Sequence, residues 1–173
     1  NWTVADQGHS LIGPVVTYNP VDNVYLIVWK DTLEDDIEGQ LFSAQGAALG
    51  FSFKIATVGS PTAPAVAHNG LLNEYLVVYS RSNPVTGLDI YNRLVQSNGT
   101  MPFAERVLEM LSGDQTLPDV AYNPVGGNYV VTYVTDAGDA GDIHSRFVDA
   151  FGTADGLYVV SQNADTQTQP DLA

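Results

Sequence analysis

One phrase is spelled three times along this chain, and its spacing restricts the fold more than any other feature. The copies begin Pro14-Val15-Val16-Thr17-Tyr18-Asn19, Pro64-Ala65-Val66-Ala67-His68-Asn69 and Pro118-Asp119-Val120-Ala121-Tyr122-Asn123, and a fourth opens at Pro170-Asp171-Leu172-Ala173. The intervals are 50, 54 and 52 residues. A unit of that length built from strands cannot bury its own apolar faces, so neighbouring units must stack on one another. One blade of a β-propeller has this size.

Each copy holds four short apolar runs divided by turn residues. The opening phrase alternates as a strand does, and it ends in Pro20-Val21-Asp22-Asn23, Gly70-Leu71-Leu72-Asn73 or Pro124-Val125-Gly126-Gly127-Asn128, which are turn formers. The second run is Val24–Trp29, Glu74–Tyr79 and Tyr129–Tyr133, led by Tyr25, Tyr75 and Tyr129. It is apolar at successive positions, the pattern of a strand covered on both faces. The third run begins Asp36-Ile37, Asp89-Ile90 and Asp142-Ile143, and a glycine (Gly46, Gly99, Gly152) follows each isoleucine by nine residues. The fourth is Phe53–Ala56, Arg106–Met110 and Leu157–Val160. The gap between second-run tyrosine and third-run isoleucine varies from 12 to 15 and 14 residues. Insertions therefore collect in that loop, where extra length costs little.

The expected fold is all-β and propeller-like: three four-stranded blades over 14–63, 64–117 and 118–169. Residues 1–13 supply an outer strand (Trp2–Ala5) of a preceding unit, and 170–173 start a fourth. A β-trefoil, also three four-stranded units, is the alternative. Propellers close with about 4 to 8 blades, and three stacked sheets leave two apolar faces bare. Further blades of a longer protein, or other copies of the chain in a homo-oligomer, are expected to cover them.

The phrases Pro-x-Val-Ala-Tyr-Asn, Glu-Tyr-Leu-Val-Val-Tyr, Asp-Ile-Tyr-x-Arg-Leu-Val and Asn-Gly-Thr resemble the tandem propeller-type repeats, about 50 residues each, of large secreted or cell-surface proteins of bacteria and archaea. The resemblance runs from Pro14 to Ala173. It implies an extracellular or surface location and a scaffold for adhesion or assembly, and it supplies no catalytic residue.

With 20 acidic against 6 basic residues the net charge is −14, which argues against nucleic acid as a partner, because phosphate binding needs cations. No cysteine is present, so thiolate chemistry is excluded, and no apolar stretch has membrane-spanning length. Residues recurring in every copy, such as Asp36, Asp89 and Asp142, are read as structural, each ending a hairpin loop by accepting backbone N–H bonds. Loops that differ between copies are the candidate ligand-binding rim: Asp31, Glu34 and Asp35 in the first, Arg81 and Asn83 in the second, Asp136 and Asp139 in the third. Clustered carboxylates with glycine offer hard oxygens on a bendable loop, so Asp136, Asp139 and Asp142 are a candidate Ca²⁺ site, weighed against a solvated acidic loop. No other cofactor is expected. Asn98, in the sequon Asn98-Gly99-Thr100, is a candidate glycosylation site; Asn1-Trp2-Thr3 is another sequon.

The three histidines, His9, His68 and His144, stand near no recognisable nucleophile motif. The sequence thus reads as a non-enzymatic scaffold, adhesion or protein-interaction module. A carbohydrate-binding module and a fragment of a propeller glycoside hydrolase are the alternatives, and the latter would need paired acids in a central pocket.

Overall fold

The computed structural model describes residues 8, 10–136, 141–162, 167 and 170–172. The expected strand at Trp2–Ala5, His9 and Asp139 lie outside them, as do 163–166. Among the described residues twelve strands form three sheets, each a simple antiparallel meander. Blade 1 is β1 (Leu11–Asn19), β2 (Val24–Asp31), β3 (Asp36–Ser43) and β4 (Ala48–Ala56). Blade 2 is β5 (Thr62–Asn69), β6 (Glu74–Asn83), β7 (Gly87–Gln96) and β8 (Arg106–Glu109). Blade 3 is β9 (Gln115–Asn123), β10 (Asn128–Thr135), β11 (Asp142–Val148) and β12 (Ala154–Ser161). The described residues contain no helix, and so none long and apolar enough to cross a membrane. Three sheets with no shared ladder are a propeller arrangement and not a trefoil.

The two-faced second strands explain the stacking. Leu26, Val28, Ile37, Leu41 and Ile55 of blade 1 pack on Tyr75, Val77, Tyr79, Tyr91 and Val95 of blade 2. Leu76, Val78, Ile90, Leu94 and Leu108, on the opposite face of blade 2, pack on Tyr129, Val131, Tyr133 and Val148 of blade 3. Alternation puts successive side chains of one strand into two different seams. Polar bonds tie the seams as well: Arg93 donates to the Ile55 carbonyl at 2.7 Å, and Asn92 to the Gly152 carbonyl at 3.2 Å. The first strands β1, β5 and β9 lie side by side at the centre.

Every first strand is bulged where its proline sits, with register shifts between Ile12 and Val15, between Thr62 and Ala65, and on β9 opposite Thr132–Val134. The residue before each proline has a left-handed backbone: Gly13 (φ 58°), Ala63 (φ 48°) and Leu117 (φ 50°). Proline removes one ladder donor, and the extra residue re-aims the side chains that follow.

One local expectation is corrected. Asp36 and Asp89 do not close their loops through backbone N–H groups. Asp36 takes the Lys54 ammonium at 2.6 Å, and Asp89 takes Asn83 at 2.8 Å and Thr86 at 2.9 Å. The capping acceptors stand at the other end of the loop, where the chain leaves the second strand. Asp31 accepts from Leu33 and Glu34 N–H, and Asn83 from Val85 N–H. Asn19, Asn69 and Asn123 cap the β1–β2, β5–β6 and β9–β10 turns in the same way.

Candidate functional site at the axial mouth

The loops between second and third strands and the connections between blades meet at one end of the molecule. Thr32 N–H donates to the Ser10 carbonyl, Ser82 to Gly59, Gly113 to Thr86 and Asp136 to Asp114. Each connection then leads into a bulged proline, so the three mouths of the first strands open at this same end. Together they line a cavity of about 560 Å³ on the axis, walled by Pro14, Pro64, Pro118 and Pro170 with Val15, Ala65, Asp119 and Asp171 behind them.

The bulge places the residue after each proline toward the axis. Blades 1 and 2 put Val15 and Ala65 there; the third copy puts Asp119 and the fourth opening puts Asp171. Asp119 is half-buried and held at both oxygens: one accepts from Val120 N–H at 2.9 Å, the other from Leu172 N–H at 2.6 Å. Asp171 is exposed. One wall of the mouth therefore carries a fixed carboxylate and a solvent-facing one, in a cavity large enough for a small ligand. The sequence reading passed over this pair because both acids lie within the repeated phrase. The available signal was the change from Val15 and Ala65 to Asp119 and Asp171 at one position of the repeat.

The rim residues are disposed around this mouth in different ways. Asp31 is 3% exposed and caps its own loop. Glu34 pairs with Lys54 at 3.4 Å. Asp35 pairs with Lys30 and accepts from Ser60 across the first connection, and these two hydrogen bonds hold its carboxyl below the usual carboxylate range. Arg81 lies 3.8 Å above the Tyr91 ring and pairs with Glu105. Asn83 bonds Asp89 beneath it. Asp136 is exposed. Of the candidate Ca²⁺ set, Asp142 is buried at the start of β11 and Asp139 is outside the described residues. Asn98 is exposed at the β7–β8 turn, its side chain accepting from Thr100.

A different acidic group is brought together on blade 1. Asp31, Asp36 and Glu38 have carboxylate oxygens within 4.8 Å of one another, and Lys54 sits on Asp36. Burial pushes Glu38 up, opposed by a Ser52 hydrogen bond and reinforced by the Asp36 and Asp31 charges. Sequence reasoning missed the grouping because Glu38 reaches it only through the pairing of β2 with β3, which sets Trp29 opposite Glu38 and Asp31 opposite Asp36.

No family model and no curated protein sequence matches the chain. Solved structures do. An α-L-arabinofuranosidase from Clostridium thermocellum aligns with a TM-score of 0.59 at 13% identity over 92% of this chain and 56% of that one. A GH43 β-1,3-galactosidase aligns at 0.53 and 11% over 84% and 45%. The α-L-arabinofuranosidase from Lactobacillus brevis aligns at 0.52 and 12% over 95% and 58%. The chain spans about half the length of these proteins, and at such identities the likeness shows the propeller-like fold of four-stranded antiparallel sheets. It also corrects the functional expectation. The repeated strands, read as a non-catalytic adhesion scaffold and as no enzyme, form an architecture that these glycoside hydrolases share. A repeat dictates blades, and blades host catalysis as readily as adhesion.

Proposed function

We propose that the chain is the propeller portion of a secreted glycoside hydrolase whose sugar-binding mouth is the axial cavity. The observation that carries this reading is the pair Asp119 and Asp171 at equivalent places of adjacent units, on a fold shared with three glycan-cleaving enzymes. Hydrolysis of a glycosidic bond uses two carboxyl groups, one delivering a proton to the leaving oxygen and one directing water or itself at the sugar carbon. Asp119, fixed by the Val120 and Leu172 amides, suits the directing role, which needs a set orientation. Asp171, on the same wall and facing solvent, is the second carboxyl of the pair. Water adds across the bond: the carbon takes hydroxyl and the departing oxygen takes hydrogen. Secretion is supported by the acid-rich composition and by the resemblance to secreted repeat proteins. Pentose and hexose glycosides of the arabinose and galactose type are the substrates to try first, since the neighbours' names carry them.

The test is turnover of aryl α-L-arabinofuranoside and β-galactoside by the chain, with chemical shifts of the mouth followed during addition of the free sugars. Expected are sugar-dependent shifts at Asp119 and Asp171 and hydrolysis that falls by about 10²-fold or more in Asp119→Asn. The absence of both turnover and sugar-dependent shifts, or activity untouched by Asp119→Asn and Asp171→Asn, overturns the assignment.

A further inference from the structure

The two blade seams use the same positions at the end away from the mouth, but they are finished with different chemistry. Between blades 1 and 2, the buried Asn19 amide donates to Asn73 at 2.8 Å and to the Tyr75 hydroxyl at 3.0 Å, and Asn73 donates on to Asp22 at 2.9 Å. Val24 packs beside them. Between blades 2 and 3 the repeat puts Asn69 for Asn19 and Tyr129 for Tyr75, while Gly127 replaces Asn73 and Glu74 replaces Val24. An amide has been lost, and the carboxyl has moved: Leu72 stands where Asp22 did, and Glu74 where Val24 did.

Glu74 is 7% exposed, and its Oε1 has no hydrogen-bond partner. The Tyr122 hydroxyl is buried without a partner too, and the Tyr129 hydroxyl, on a ring 5.2 Å away, has the Asn69 side chain beside it. The groups facing Glu74 are Asn69 on β5 and Gln96 on β7, its cross-strand partners, with Tyr122 on β9 and Tyr129 on β10. None carries a positive charge. An ionised carboxylate there faces no cation, and no hydrogen bond reaches its Oε1, which low-dielectric surroundings penalise heavily.

We propose that the partner this seam lacks is a proton: Glu74 folds in as the neutral acid, and blades 2 and 3 hold together more tightly in mildly acidic than in alkaline solution. Burial, which pushes the Glu74 carboxyl upward, agrees with that geometry. The sign follows from linkage. Above the folded-state value, ionisation costs stability. As pH falls through that value toward the ordinary 4.5, the folded form takes up a proton that the unfolded chain does not, and stability rises. Below 4.5 both forms are protonated and the gain is complete.

Glu74→Gln copies the neutral acid in shape and hydrogen-bonding groups, so the test compares it with the parent chain by urea unfolding between pH 5 and pH 8. Both are placed in a Glu38→Gln background, since Glu38 is also pushed up by burial. The parent's unfolding constant should fall about tenfold on acidification relative to Glu74→Gln. Glu74→Gln should be the more stable at pH 8. Carboxyl carbon resonances give a second reading, with Glu74 titrating above the ordinary glutamate range. Parallel pH profiles for the two proteins, or a Glu74 resonance titrating at or below 4.5, overturn the proposal.

Discussion

The residue before each first-strand proline carries backbone strain with a definite sign. Left-handed φ costs a residue with a Cβ about 1–2 kcal/mol relative to glycine, and only blade 1 places glycine there, at Gly13. Ala63 has the same geometry, its side chain a single methyl. Ala63→Gly should raise stability by about 0.5–1 kcal/mol, the relief being partly offset by the freer unfolded chain. Gly13→Ala should lower it by a similar amount. Equilibrium urea unfolding of the two variants checks both directions, and a loss of stability in Ala63→Gly would show that the bulge does not impose the conformation. This strain was not legible in the sequence. Proline at 14, 64 and 118 announces a strand that cannot pair fully, but nothing in Gly, Ala and Leu ahead of it announces a shared positive φ. The same bulge decides which residue faces the axis, and so hid Asp119 as a site residue.

At the scale of the element, the four-strand pattern was legible because it rests on alternation, which survives without knowledge of the neighbours. The second strand of blade 2, Tyr75–Tyr79, is apolar and buried on both faces, while in the equivalent Tyr129–Tyr133 the face of Val130 and Thr132 is half-buried at Val130 and polar at Thr132. What alternation could not supply is the polar wiring between blades, because each bond joins residues far apart in sequence. Glu109, at the end of β8 and 5% exposed, is the main instance. It accepts from the Tyr133 hydroxyl at 2.6 Å and from Arg146 at 3.0 and 2.8 Å, fastening β10 and β11 to the preceding blade. Burial, then the bond to Glu109, pushes the Tyr133 phenol upward, so it remains the donor at neutral pH. Glu109→Gln leaves Arg146 without its counter-charge in a partly buried seam, and a loss of about 2–3 kcal/mol is expected. Chemical denaturation measures it. A loss under 0.5 kcal/mol would mean the seam is held by its apolar contacts alone.

The whole molecule is an arc whose two ends are unlike its interior. In blades 2 and 3 the first half of the second strand is sealed by the preceding blade, with Tyr75, Val77, Tyr129 and Val131 at 0% exposure. Blade 1 has no described blade before it, and the same positions open outward. Tyr25 is 37% exposed, Val16 beside it is 60% exposed, and they border a groove of about 400 Å³ with Ile27 and Phe42. At the opposite end β12 exposes Leu157, Tyr158, Val159 and Val160. The chemistry of a position is thus set by its place in the arc and not by its residue type, which is why the repeat alone foretold sticky ends but could not say what meets them. Contiguous apolar surface of this kind associates in water at about 25 cal/mol per Å² removed. Isolated chains should therefore run above 18.5 kDa in native mass measurements at micromolar concentration. Val16→Glu, which sets a charge on the groove without touching either seam, should shift them toward the monomer. A chain that is already monomeric, and binds no more of a hydrophobic dye than Val16→Glu does, would mean that the blade 1 face is covered from within the chain.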